Sequence, residues 1–186
     1  MTDEPLLLLV CGSLRKESRN AALLNEAARL FGPARIERAD LRLPLYDGDL
    51  EAQGIPPEVM RLVEQFRRAD AAAIATPEYN KNLSGVLKNA LDWISRVKPQ
   101  PLLDKPVAIM SAAAGRSGGE RSQFSLRHCL TPFQPRVLQG PEVLIANCDQ
   151  AFDEDGRLKD DQAQALLRRL MNKLRAEIAL RAAQGS

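Results

Sequence analysis

The chain has 186 residues, room for one domain with a full hydrophobic core. Hydrophobic residues make up 45%, which excludes global disorder, and 26 basic against 24 acidic side chains leave a net charge of +2, too balanced and too scattered for a nucleic-acid surface. Cys11, Cys129 and Cys148 lack zinc spacing and are odd in number, so a disulfide-free protein of a reducing compartment is expected. With no apolar run of membrane-spanning length and no leader pattern, the cytoplasm is the default expectation for that compartment.

Short apolar runs alternate with stretches of helical period. Leu6–Val10 is continuously apolar, as a strand covered on both faces must be. Ala21, Leu24, Ala28 and Phe31 give a helix over 20–31, ended by Gly32-Pro33. Arg35–Ala39 reads as a second strand, followed by the irregular "LRLPLYDGDLEAQGIPP". Pro56-Pro57 then opens a helix that turns Val59, Leu62, Val63 and Phe66 to one side. Ala71–Thr76 is the third strand, and a helix follows from about Ser84 to Val97. Pro106–Ser111 is the fourth strand, and Glu120–Leu130 the next helix. A strand over 136–146 is broken at Gly140-Pro141, and a last helix from near Asp160 carries Ala163, Leu166, Leu167, Leu170, Met171, Leu174 and Ile178 in one stripe. Five strands alternating with helices predict a parallel sheet with helices on both faces.

Such sheets bind ligands beyond the carboxyl ends of their strands, where strand order reverses. The loops after strands one, three and four hold the three most unusual stretches of this sequence. In "GSLRKESRN", Ser13, Ser18 and Asn20 offer short hydrogen-bonding groups, Arg15 and Arg19 offer charge, and a helix N-terminus follows. That combination suits a phosphomonoester; the plain alternative is an N-cap trailed by solvated charges. In "TPEYNKNLSGVLKNALDWISR", Val86, Trp93 and Val97 widen the apolar arc of the helix to about 160°. Either a subunit covers that arc or the chain itself does.

Together "GSLRKESRN", "PEYNKNLSGVLKNALDW" and "GRSGGERSQFSLR" resemble the NADPH-dependent FMN reductase family, which includes quinone, chromate and azo-compound reductases. The resemblance runs from the first strand to the final helix. It implies one domain over 1–186, a flavodoxin-like three-layer α/β sandwich whose five-stranded parallel sheet has the order 2-1-3-4-5. FMN is the implied cofactor, and NADPH or NADH the donor. Ser13, Arg15, Ser18 and Asn20 would take the phosphate, with Arg19 beside them. Pro77, Glu78, Tyr79 and Asn80 would hold the isoalloxazine, and Gly115, Gly118 and Gly119 would approach its pyrimidine end. Ala112 and Ala113 stand where the family often has serines, which leaves Ser111 or backbone N–H groups to serve there. Ser84 replaces a common proline and should act as an N-cap.

The implied reaction is ping-pong: hydride passes from NAD(P)H to the flavin, then to a quinone, free flavin, chromate or azo-type acceptor. It requires no catalytic acid–base side chain and no metal. A homodimer or dimer of dimers is implied, each flavin roofed in part by the neighbour through the helix of Val86, Trp93 and Val97. His128 reads as a surface or subunit contact. Rival readings are an FMN-binding electron carrier, a flavin-dependent regulatory protein and, on the first loop alone, a phosphate-binding hydrolase.

Overall fold

In the computed structural model, which describes residues 4–184, Leu6–Cys11 (β1) is apolar because both its faces are covered. Leu6, Leu8 and Val10 point to one helical layer, while Leu7 and Leu9 point to the other. The elements in chain order are β1, Arg19–Phe31 (α1), Arg35–Arg38 (β2), Gly48–Ala52 (α2), Pro57–Arg68 (α3), Ala71–Thr76 (β3) and Gly85–Ser95 (α4). Pro106–Ala112 (β4), Glu120–Leu130 (α5), Arg136–Val137 (β5), Leu144–Ile145 (β6) and Asp161–Gln184 (α6) complete the chain. All strand pairs are parallel in the order β2-β1-β3-β4-β5, with β6 also on β4. The predicted break at Gly140-Pro141 therefore splits the fifth strand into two short pairings. α1 and α6 cover one face of the sheet, and α3, α4 and α5 the other.

Small residues set the spacing of these layers. β3 reads AAAIAT, and its Ala71, Ala73 and Ala75 lie with Leu23, Leu24, Ala27 and Leu30 of α1 in one core. In α1 the buried stripe is Leu23, Leu24, Ala27, Leu30 and Phe31, with Ala21 and Ala28 only half-buried. It is turned from the predicted stripe because α1 packs against α6 as well as the sheet. Leu166 of α6 is likewise exposed, at the margin of the stripe formed by Leu167, Leu170, Met171 and Leu174. Ser84 is the N-cap of α4, as predicted, its hydroxyl accepting from Leu87 N at 3.3 Å.

The broad apolar arc of α4 is covered by the protein's own chain. Trp93 is 0% exposed; its Nε1 donates to Pro44 O at 2.8 Å and its ring meets Tyr46 edge-on. Asn89 grips the same segment, accepting from Tyr46 N at 2.8 Å and donating to Pro44 O at 2.9 Å. Val97 is buried and Val86 half-buried. Trp93 and Val97 are thereby withdrawn from the expected subunit interface, and only Val86 of the three stays accessible. The "irregular" connection is a fixed strap over 41–46, closed by the short α2, where Glu51 accepts from Tyr46 Oη and Arg96 Nε.

At the opposite end of the sheet from the loops, Lys105 is buried and donates to the carbonyls of Arg67 and Ala69 at the end of α3. Burial lowers its pKa from 10.5 to about 8, helped by Arg181 and opposed by Asp70. The folded-state pKa is depressed, so the stabilising contribution of this group is complete above about 10.5 and lost as pH falls through about 8. Relative to Lys105→Met, the wild type should gain about 2 kcal/mol between pH 8 and pH 10. Urea unfolding of both proteins across that range checks this; parallel pH profiles would contradict it.

Candidate functional site

The carboxyl ends of β1, β3 and β4 deliver three loops to a single cleft of about 260 Å³. Its lining includes Ser13, Arg15, Ser18, Arg19, Pro77, Glu78, Tyr79 and Gly115, each predicted from sequence. β1 and β3 are neighbours whose connections leave in opposite directions, so the cleft sits where strand order reverses.

In the first loop, Gly12 is forced by close approach. A Cβ there would lie 3.1 Å from Ser84 Oγ and 3.2 Å from both Ala75 O and Thr76 Oγ1. The chain then opens outward, and Ser18 caps α1 by accepting from Ala21 N at 3.3 Å. The first-turn N–H groups of Arg19 and Asn20 have no acceptor among the described residues. With Ser13 and the two arginines they make a donor set beside Asp149, which pairs with Arg19 at 3.6 Å, while the other cleft carboxylate, Glu78, is engaged by Arg121. Asp149 and Arg19 are both largely exposed, so that pair holds Arg19 only weakly.

Asn20 does not offer its side chain to a ligand. Nδ2 donates to Ala112 O at 2.9 Å, and Oδ1 accepts from Ala112 N at 3.0 Å, so the buried amide ties α1 to the end of β4. Asn20 still borders the cleft, where its backbone N–H is the group without an acceptor among the described residues.

In the second loop, Tyr79 and Asn82 exchange backbone hydrogen bonds at 3.0 and 3.1 Å around a two-residue turn. Asn80 and Lys81 occupy it with φ of 50° and 66°, a conformation asparagine tolerates well. Asn80 therefore shapes the turn and lies outside the cleft lining. The Glu78 carboxylate caps α5, accepting from Arg121 N at 3.2 Å and pairing with Arg121 Nη1 at 3.4 Å. Gly119, the N-cap residue of α5, has no side chain for that task.

The third loop differs most from expectation. Ser111 is fully buried, and its hydroxyl donates to Gly118 O at 2.6 Å while accepting from Gln123 Nε2 at 2.9 Å. It is thus withdrawn from the cleft. Gly118 and Gly119, with φ of 61° and 92°, lie outside the cleft lining as well. A Cβ on Gly118 would stand 2.7 Å from the Leu144 carbonyl carbon, and one on Gly119 2.7 Å from Ser111 Cβ. The N–H groups of Ala112 and Ala113 are bonded to Asn20 Oδ1 and Ile145 O. Among the described residues, the N–H groups left free in this loop are those of Ala114, Gly115, Arg116 and Ser117, with that of Gly119 beyond them.

Sequence reasoning missed Cys148 and Asp149, which reach the cleft from β6. Applying the strand-end rule to the broken fifth strand would have found them. Burial, then the Asp149 carboxylate, push the Cys148 thiol above its ordinary pKa against the pull of Arg19 and Arg15. It is a protonated, unreactive thiol at neutral pH. His128 is exposed on α5 and lies outside the cleft lining.

A larger groove of about 670 Å³ lies between α3 and the chain leaving β2. Three of its four arginines have partners: Arg42 pairs with Asp40, Arg68 with Glu37, and Arg38 donates to Asn25 Oδ1.

Residues 5–150 match the family described as NADPH-dependent FMN reductase. An NAD(P)H-dependent FMN reductase of Pseudomonas aeruginosa is 47% identical over 176 residues, covering 94% of this chain and 95% of that protein. A quinone reductase of Escherichia coli K12 is 40% identical over 149 residues, covering 77% of this chain and 79% of its own. Among solved structures, the flavoenzyme NAD(P)H:(acceptor) oxidoreductase FerB from Paracoccus denitrificans superposes with a TM-score of 0.85 at 29% identity, covering 94% of this chain and 97% of that one.

Proposed function

Because the chain belongs to the NADPH-dependent FMN reductase family, we propose that the cleft at the ends of β1, β3 and β4 is its flavin site. The protein is an FMN-dependent NAD(P)H oxidoreductase. The residues suit FMN: a cationic, serine-bearing helix N-terminus can meet a phosphomonoester, and a turn of free N–H groups can meet a polar ring edge. When bound, FMN supplies hydride acceptance and donation at its isoalloxazine N5.

Ser13, Ser18, Arg15, Arg19 and the N–H groups of Arg19 and Asn20 bind the phosphate. Pro77, Glu78 and Tyr79 form the wall that receives the ring. The N–H groups of 114–117 face its pyrimidine end and stabilise negative charge there. Asn20, Ser111, Gly118 and Gly119 support these groups from behind. Tyr79, half exposed at the rim, leaves an open face that NAD(P)H and the acceptor occupy in turn, a ping-pong arrangement. No side chain of the cleft needs to move a proton. Quinones and free flavins are the proposed acceptors, with chromate and azo compounds as further substrates of the same face.

The observation that carries this reading is the convergence of the three motif loops on one cleft at the reversal of strand order. Carrier and regulator readings are not favoured, since the relatives are reductases. We further propose a single cytoplasmic domain over 1–186, of which residues 1–3, 185 and 186 lie outside the described structure. It associates as a homo-oligomer through an apolar patch of Leu14, Leu45 and Val86 beside the phosphate loop. Leu45 is 82% exposed and Leu14 41%.

The deciding experiment is titration of flavin-free protein with FMN and riboflavin, followed by anaerobic addition of NADPH. Tight FMN binding and bleaching of the flavin bands without a partner protein are expected. Arg15→Ala should weaken FMN about tenfold and leave riboflavin unchanged. Bands that survive both NADPH and NADH would overturn the reductase reading, and equal losses for both flavins would overturn the phosphate loop.

A further inference from the structure

Gln123, in the first turn of α5, is 2% exposed and has no surface in the cleft. Its Nε2 donates to Ser111 Oγ at 2.9 Å and to Val143 O at 2.8 Å. Since Val143 O can only accept, the amide nitrogen must face it. Ser111 Oγ in turn donates to Gly118 O at 2.6 Å, which fixes the direction of the chain from Gln123 through Ser111 to the turn. One amide therefore joins the end of β4, the 115–118 turn and the entry to β6. The last two continue into residues of the cleft lining, Gly115 with Ser117 and Cys148 with Asp149.

We propose that Gln123 is a positioning residue for the ring end of the flavin site, an inference that rests on the functional reading above. Its Oε1 is buried without a partner among the described residues, a feature that lowers stability and that methionine, of similar length, would not carry. Losing Nε2 leaves no new orphan, because Ser111 Oγ keeps its bond to Gly118 O and Val143 O still accepts from Ser111 N at 3.1 Å. A purely structural glutamine would be poorly designed here. One that holds the free N–H groups of 114–117 in register with the 148–149 wall is accounted for.

The test is Gln123→Met, titrated with FMN and with riboflavin and followed by flavin fluorescence, the visible spectrum of the bound flavin and thermal unfolding. A Tm at or above that of the wild type is expected, with both dissociation constants raised by the same factor of about ten and a shifted visible band. Constants within twofold of wild type, or a loss confined to FMN, would overturn the proposal, since the first denies positioning and the second moves the effect to the phosphate end. Should Gln123→Met fold poorly, Ser111→Ala removes the relay hydroxyl instead. It must also weaken FMN and riboflavin together, and unchanged binding in that variant overturns the proposal. A wild type that binds neither flavin would instead sink the functional reading, and this inference with it.

Discussion

Trp93→Ala is expected to destabilise the protein by about 3–5 kcal/mol and lower its Tm by roughly 10 °C, without first dissociating any oligomer. The indole is wholly buried, fills the space under the 41–46 strap, and donates to Pro44 O. Truncation opens a cavity and removes the donor to Pro44 O, although Asn89 Nδ2 still bonds that carbonyl. Tyr46 also loses its edge contact, which loosens the strap and the Tyr46–Glu51–Arg96 cluster beyond it. Calorimetry with light scattering separates this from an interface effect. An unchanged Tm with reduced mass would restore α4 as a subunit contact. Leu45→Asp is the matching surface change: it should leave the Tm within a few degrees of wild type and reduce the mass if the Leu14–Leu45–Val86 patch joins subunits.

Gly118→Ala is expected to lower stability by about 3 kcal/mol and FMN affinity at least about tenfold. The added Cβ would meet the Leu144 carbonyl carbon at 2.7 Å and its oxygen at 2.9 Å, backbone atoms of a strand that is itself paired to β4. At φ 61° the new residue also carries left-handed strain. Relief requires the turn to lift from β6, which shifts the N–H groups of 114–117 while leaving the phosphate loop in place. Riboflavin and FMN should therefore lose affinity alike. Gly115→Ala is the control: nothing stands within 4 Å of its Cβ, and its stability should be close to that of the wild type. Equal stability of the two variants would contradict the close packing of the turn on β6.

The sheet was legible because its central strands β1, β3 and β4 are buried on both faces and read as largely apolar runs, and because Ser84, Pro57 and Gly32 punctuate helices in standard ways. The strap was not, since 41–46 has no periodicity of its own; its place is set by Asn89 and Trp93 reaching out from α4. That is also why an arc on one helix was mistaken for an interface: periodicity reports that a face is covered and says nothing of what covers it. Within the cleft, residues presented by local chain geometry were found, among them Ser13, Arg15, Ser18 and Tyr79. Asn20 and Ser111 were assigned to the ligand because their polar groups looked available. Both are spent on partners 92 and 12 residues away, Ala112 and Gln123, pairings that only the folded chain creates.

The alanines of β3 have a reach beyond the core they fill. Ala73 and Ala75 let α1 lie low on the sheet, and the same helix presents its first turn to the cleft. The elevation of the phosphate loop is thus graded by side chains that no ligand ever meets. A bulkier residue at either position would tilt α1 like a shim under one end of a beam, so cofactor retention can be adjusted from inside the protein while every group in the cleft stays chemically the same.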